Sequence, residues 1–166
     1  MALTPGPAGA DRFADHDVGL EMSVPHGWTA AATDEFPLVL LAPEEDGFRA
    51  NVGVLVGELV PPSPEGLQAR IEATKATRLA ELPRFQVVAE RAGPQAGQPG
   101  WQLRATWEHG ERELTQITQL FVAEPERLYE VTATCLRPLE SVYLPVFREI
   151  LDSWVVLPPD EAPAPS

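Results

Sequence analysis

Apolar positions recur at period two along much of the chain, and most of these runs end at a proline or a glycine. Val18, Leu20, Met22 and Val24 alternate with Gly19, Glu21 and Ser23, which is the pattern of a half-buried strand. It stops at Pro25, and His26-Gly27-Trp28 forms a turn that lowers an aromatic ring onto the core. Residues 36–42 are a continuous apolar run closed by Pro43, fitting a strand covered on both faces. Residues 51–59 set Val52, Val54 and Val56 at period two, with Gly53 and Gly57 between them; glycines inside a strand point to close approach of another group. Further on, residues 85–89 read as a strand and 93–100 as a Gly/Pro/Gln loop. Trp101, Leu103, Ala105 and Trp107 then alternate with Gln102, Arg104, Thr106 and Glu108. His109-Gly110 closes a tight hairpin into residues 111–123. After a turn at Pro125-Glu126, Tyr129, Val131, Ala133 and Cys135 alternate with Glu130, Thr132 and Thr134 in a last strand.

Two stretches switch to helical spacing. At Ser63-Pro64-Glu65 a serine oxygen can cap a free N–H, proline suits the first helical position and glutamate complements the dipole. Leu67, Ile71, Leu79 and Leu82 lie on one stripe of the helix that follows, which ends at Pro83. Tyr143, Phe147, Ile150, Leu151 and Trp154 form the second stripe; Pro145 is tolerated only near a first turn, so this helix is placed from about Ser141. Three strands, a helix, four strands and a helix, with mostly hairpin-length connections, predict an α+β fold. The expected architecture is an antiparallel sheet of about six to seven strands flanked by two main helices. One domain is expected over residues 18–157, with residues 1–17 as an unstructured head and 158–166 as an unstructured Pro-rich tail.

Charge narrows the partners. The chain of 166 residues carries 12 Lys plus Arg against 25 Asp plus Glu, a formal charge of -13. Lys75 is the single lysine, and the arginines are scattered, whereas nucleic-acid binding needs clustered cations to release counterions. Nucleic acid and anionic membrane surfaces are therefore not expected partners. The head has no basic n-region, no apolar run and no acylation cysteine, so it does not read as a secretory or lipoprotein signal; the expected location is the cytoplasm. Arginine in large excess over lysine, with abundant Ala, Pro and Gly, suggests a GC-rich bacterial source.

The candidate chemistry is thin. One cysteine and three histidines leave no Cys-rich zinc or iron–sulfur site. Asp15-His16-Asp17 and Glu108-His109-Gly110-Glu111 resemble ligand clusters but read better as solvated turns, and His26 as a turn residue without a sequence partner. The five serines sit in no GxSxG elbow. Cys135 falls on an apolar strand face, where a thiol is a small hydrophobe with a raised pKa. Glu44-Glu45-Asp46-Gly47 lacks the alternation of a calcium loop, and no phosphate-binding glycine loop is present. No metal, no cofactor and no catalytic residue is expected.

The more informative feature is an uncharged polar face. Thr115-Gln116-Ile117-Thr118-Gln119 shows no clean apolar side, and its expected neighbours add Gln102, Arg104 and Thr106 on one strand and Thr132 and Thr134 on another. Such residues pair well across strands and lose little on desolvation, so Gln102, Arg104, Thr106, Gln116, Thr118, Thr132 and Thr134 are the candidate partner-binding residues.

The opening Val18-Gly19-Leu20-Glu21-Met22-Ser23-Val24-Pro25-His26-Gly27-Trp28, the Asn51-Val52-Gly53-Val54 strand and the first helix come in a familiar order. They are followed by Leu128-Tyr129-Glu130-Val131-Thr132-Ala133-Thr134 and Phe147-Arg148-Glu149-Ile150-Leu151-Asp152-Ser153-Trp154. This order resembles the PsbP-like fold family, which also holds the Ran-binding nuclear-transport factor, and within it the bacterial branch of LpqN, DcrB and the Eag chaperones. The resemblance implies an antiparallel sheet with flanking helices and a non-enzymatic role. The expected function is a cytoplasmic protein-binding module, a chaperone or adaptor for an exported protein that holds a hydrophobic segment of it, with a homodimer as a further expectation. The alternative is a small-molecule or lipid carrier with its ligand between sheet and helix, near Trp28, Trp101 or Trp107.

Overall fold

The alternating run that opens the patterned chain forms a strand, but outside the main sheet. In the computed structural model, which describes residues 4–5, 10–124 and 126–158, β1 (Thr4–Pro5), β2 (Ala10–Asp15), β3 (Leu20–Pro25) and, from the far end of the chain, β11 (Val155–Val156) make a four-stranded sheet of order β1-β2-β3-β11. The other strands are β4 (Thr29–Ala31), β5 (Leu38–Leu41), β6 (Asn51–Glu58), β7 (Gln86–Ala92), β8 (Gly100–His109), β9 (Arg112–Ala123) and β10 (Arg127–Leu136). They form a seven-stranded sheet of order β4-β5-β6-β10-β9-β8-β7, and every pairing is antiparallel. The fold is α+β, as the pattern predicts.

The two helices also follow the sequence closely. α1 (Pro64–Glu81) starts on Ser63, whose side chain accepts the Gly66 N–H at 3.1 Å. α2 (Glu140–Asp152) is entered through a 3-10 turn at Arg137–Leu139. Pro145 sits in its second turn rather than the first; Ser141, whose carbonyl loses its helical partner there, is exposed, so water can satisfy that group.

Each face of the large sheet has its own core. On one face, Ile71 of α1 packs with Leu59, Trp101, Leu103, Leu120, Val122 and Leu128. On the other, α2 contributes Phe147, Ile150 and Leu151 and the small sheet contributes Phe13, Leu20, Met22 and Val24 to a larger cluster with Val52, Val54, Ile117, Phe121, Tyr129 and Val131. Tyr129 is wholly buried and donates its hydroxyl to the Val18 carbonyl at 2.7 Å, tying the segment before β3 to the large sheet. Burial pushes its phenol pKa up.

Three expectations change. The head taken as unstructured contains β2, because Phe13 and Asp15 are buried and the strand completes the ladder of β3; an apolar ring and an open strand edge are both satisfied by the same pairing. The remaining head residues 1–3 and 6–9, and tail residues 159–166, lie outside the described residues. β4, missed for its brevity, forms one edge of the large sheet. Finally, β9 is the strand without a clean apolar face because it lies between β10 and β8 and is buried on both sides from Leu114 to Ala123.

Candidate functional site

Register decides which polar residues share a face. The β8–β9 hairpin closes with His109 opposite Arg112, which puts Gln102 opposite Gln119, Arg104 opposite Ile117 and Thr106 opposite Thr115. Gln116 and Thr118 instead face Ala105 and Leu103. On the other side, β9 and β10 pair Gln116 with Thr134 and Thr118 with Thr132. Directly opposed residues point the same way, so the seven candidates split. Gln116, Thr118, Thr132 and Thr134 lie on the α1 face, while Gln102, Arg104 and Thr106 lie on the α2 face. The expected single surface is not formed.

Four of the candidates do come together, with residues from β5 and β6. Two cross-strand rows cross the α1 face: Asn51, Thr134 and Gln116 in one, and Val39, Gly53, Thr132 and Thr118 in the next. α1 covers only part of them. Its Arg78 reaches the Thr132 hydroxyl at 3.2 Å and, with Arg70, pairs with Glu130 at 3.6 and 3.3 Å. Thr118 is buried, 2 % exposed. Past the Arg78 end of the helix the rows open as the floor of a groove of about 590 Å³, with Asn51, Gly53, Gln116, Thr132 and Thr134 at its base.

The wall is the loop at residues 33–36. Thr33 N–H donates to the Phe36 carbonyl at 2.8 Å, and Phe36 N–H to the Thr33 hydroxyl at 2.9 Å, so the loop is closed on itself. The Phe36 ring lies over Gly53, where an added Cβ would come within 2.9 Å of the ring. Glycine is needed at that position for the close approach. The floor is uncharged, whereas Asp34 and Glu35 bring negative charge to the rim.

Gln116 is the unusual member. Its amide nitrogen donates to the Thr134 hydroxyl at a long 3.5 Å, and its carbonyl oxygen is buried with no hydrogen-bond partner among the described residues. Buried polar atoms are normally paired, and leaving one unpaired costs about 1–3 kcal/mol. The amide of Gln119, on the opposite face, is by contrast fully used: it accepts from the Trp154 indole at 2.9 Å and donates to Gln95 and the Leu151 carbonyl at 2.9 and 3.3 Å.

A second concavity lies on the α1 face, between helix and sheet. Leu59, Pro64, Leu67, Ile71 and Val122 line an open, mainly apolar groove of about 490 Å³ beside the N-terminal half of α1. Its signal in the sequence was the apolar run into Pro61-Pro62-Ser63, which supplies one wall. The tryptophans proposed to flank a ligand do not line it. Trp28 packs edge-on against Tyr143 and Phe147, and Trp101 is 1 % exposed with its indole on Glu90. Trp107 lines a small polar pocket of about 140 Å³.

The residues with catalytic chemistry are dispersed. His16, His26 and His109 are exposed, His26 lying 3.4 Å from Asp11. Cys135 is fully buried, and burial together with the Glu140 charge pushes its thiol up to about 12. Among the described residues no group of three His, Cys, Asp or Glu side chains is placed to hold a metal, and no helix is long and apolar enough to cross a membrane.

No family model matches the sequence. No curated protein matches it either. Solved structures do. LpqN of Mycobacterium tuberculosis, described as involved in cell envelope biogenesis, superposes with a TM-score of 0.65 at 16% identity, over 84% of this chain and 83% of its own. Cyanobacterial PsbP (CyanoP) of Synechocystis gives 0.67 at 17% identity, over 91% and 94%. The Ran-binding protein Mog1p of Saccharomyces cerevisiae gives 0.58 at 12% identity, over 89% and 95%. At these identities the likeness is one of fold.

Proposed function

With the PsbP-like fold as the premise, we propose that this chain is a non-enzymatic protein-binding module that holds an extended segment of another protein in the Thr/Gln groove. The observation that carries the reading is the uncharged hydrogen-bonding floor of the open groove, formed by Asn51, Gln116, Thr132 and Thr134. The Asn51, Thr132 and Thr134 side chains offer donors and acceptors of the kind a peptide backbone needs. Phe36 and Val39 supply apolar contact beside them. The acidic rim at Asp34 and Glu35 favours a neutral or basic segment.

In its finer form the module is a cytoplasmic chaperone or adaptor for an exported protein. The apolar groove along α1 supports it, because it lies on the same sheet face and suits hydrophobic side chains of the same partner. Two structural neighbours are in keeping with such a role: Mog1p is a Ran-binding protein, and LpqN is involved in cell envelope biogenesis. A homodimer is proposed as well, on the support of β7, an edge strand exposed along its whole length with Val87 and Val88 half in solvent; sedimentation equilibrium measures it. The dispersed histidines and the buried thiol support a role without catalysis.

The test is site-specific photo-crosslinking in the native host, with the crosslinker at Asn51 in the groove or at the exposed Glu149 on α2. One protein captured from Asn51 and not from Glu149, and lost on Thr134→Arg, is the expected result. Capture that survives Thr134→Arg would rule out the groove. A second reading, a carrier of a small molecule or lipid between sheet and helix, is favoured by the same apolar groove. Saturable binding of a fluorescent fatty acid, abolished by Ile71→Glu, would select it.

A further inference from the structure

The α2 face of the sheet holds a different kind of site. Where α2 overhangs β7 and β8, a cleft of about 250 Å³ is lined by Arg91, Arg104 and Arg148 together with Gln102, over an apolar floor of Ile117, Leu144 and Leu151, with Asp152 as its one carboxylate. The placement follows from the elements. The β7–β8 register sets Arg91 opposite Gln102 and the small Ala89 opposite Arg104, while Leu144, Arg148, Leu151 and Asp152 recur at helical spacing along one edge of α2.

Their lack of partners is the informative point. The chain has 25 carboxylates for 12 cations, and half of the cations are paired. Arg12, Arg70, Lys75, Arg78, Arg84 and Arg137 each have a carboxylate within 4 Å. Of the six arginines that have none among the described residues, Arg49, Arg112 and Arg127 lie elsewhere and Arg91, Arg104 and Arg148 share this one cleft. Three like charges in a cleft with the single carboxylate of Asp152 leave it net positive, and an anion between them relieves the repulsion.

We propose that this cleft binds a small organic anion, its carboxylate or phosphate group held by Arg91, Arg104 and Arg148 and its apolar body resting on Ile117, Leu144 and Leu151. Guanidinium groups match such oxyanions through paired hydrogen bonds, and the apolar floor strengthens them by excluding water. The volume lies just below the usual range of small-molecule pockets, about 300–1,000 Å³, which suits a compact ligand. The cleft is across the sheet from the Thr/Gln groove, so it stands or falls independently of the protein-binding reading.

Isothermal titration of the full chain with phenyl phosphate, benzoate and inorganic phosphate tests it. Phenyl phosphate or benzoate should bind saturably, the stronger of the two identifying the head group, and inorganic phosphate at least about fivefold more weakly because it lacks the body. Arg104→Gln and Arg148→Gln should each weaken binding about tenfold or more, whereas Arg49→Gln, which removes the same charge from an exposed position elsewhere, should change it less than about twofold. If Arg104→Gln disturbs the fold by circular dichroism, the exposed Arg91→Gln and Arg148→Gln carry the comparison. No saturation by either aromatic anion up to about 20 mM, equal affinity for inorganic phosphate, or equal loss in Arg49→Gln would each overturn the proposal.

Discussion

The indole N–H of Trp101 donates to a carboxylate oxygen of Glu90 on the neighbouring strand at 2.9 Å, and Lys75 of α1 meets the same carboxylate at 3.1 Å. One side chain thus joins a buried ring, an edge strand and a helix. The Trp101 hydrogen bond first, and Lys75 second, hold the Glu90 carboxyl below its ordinary 4.5, against a smaller opposing effect of burial. A depressed carboxyl contributes stability that is fully present above its unfolded value and is lost as pH falls through its folded value. Glu90→Gln should therefore be less stable than the parent at pH 7, by less than about 1 kcal/mol because the carboxylate is 36% exposed and solvent screens it, and the gap should close as pH falls below about 4.5. Urea unfolding of both proteins from pH 7 to pH 3 measures it.

Gln119 is 0 % exposed and its amide serves the Trp154 indole, Gln95 and the Leu151 carbonyl. It joins β9, the loop after β7 and the end of α2. Gln119→Met leaves the indole donor and the Gln95 oxygen without this partner and should cost about 2–4 kcal/mol. Adding Trp154→Phe removes the orphaned donor, so the double variant should be less destabilised than the sum of the two single changes. Thermal unfolding of the four proteins closes the cycle.

The parity of the candidate site was legible in the chain and the burial of β9 was not. A two-residue hairpin loop pairs each odd-numbered residue of one strand with an even-numbered residue of the other, so the tight turn at Gly110 already separates Gln102, Arg104 and Thr106 from Gln116 and Thr118. The three residues that separate β9 from β10 in the chain preserve parity, which keeps Gln116 with Thr134 and Thr118 with Thr132. By contrast, the composition of β9 alone says nothing of what lies above and below it. Its burial depends on α1, from an earlier part of the chain, and on α2, from a later one. The same holds for the arginine cleft, since Arg91, Arg104 and Arg148 meet only through the order of strands and the path of α2. The alternating strands, the Ser63 cap and the α2 stripe depend on local spacing and were readable for that reason.

β2 shows what a weak pattern can conceal. Phe13 is the one large apolar residue in its strand and is 1 % exposed against the main core. Phe13→Ala should lower unfolding stability by about 3–5 kcal/mol, a large share of the 5–15 kcal/mol typical of a domain. His16→Ala, a few residues on at an exposed position, should change it by less than about 0.5 kcal/mol. Chemical denaturation of the two variants distinguishes a strand that is integral to the fold from a dispensable head.

Cys135 should behave as a core residue rather than a reagent. Burial is the main cause of its high thiol pKa of about 12, with the Glu140 charge adding to it, so thiolate is scarce at neutral pH. A thiol-reactive disulfide reagent should label the native protein only at the rate of global opening, and should reach one equivalent once the chain is unfolded. Fast native labelling that rises with pH between 7 and 9 would contradict the burial seen here.

Gly53 separates the groove from the fold. It lies in β6 beneath the Phe36 ring, and a methyl group there would sit 2.9 Å from that ring. The neighbour that must give way is a half-buried side chain on a loop, not backbone. Alanine also suits a strand better than glycine, so Gly53→Ala should shift the midpoint of unfolding by the equivalent of less than about 1 kcal/mol. Its effect on partner capture should be much larger, because Phe36 has to swing off the floor and the groove changes shape between Asn51 and Thr132. Phe36→Ala removes the ring without crowding the strand, and in combination with Gly53→Ala it should restore an open floor while losing the apolar wall. Crosslinking yield from Asn51, measured beside thermal unfolding for the two single variants and the double, separates the roles. A fall in yield without a fall in stability for Gly53→Ala marks the seat of Phe36 as part of the binding surface, whereas parallel losses would assign it to packing alone.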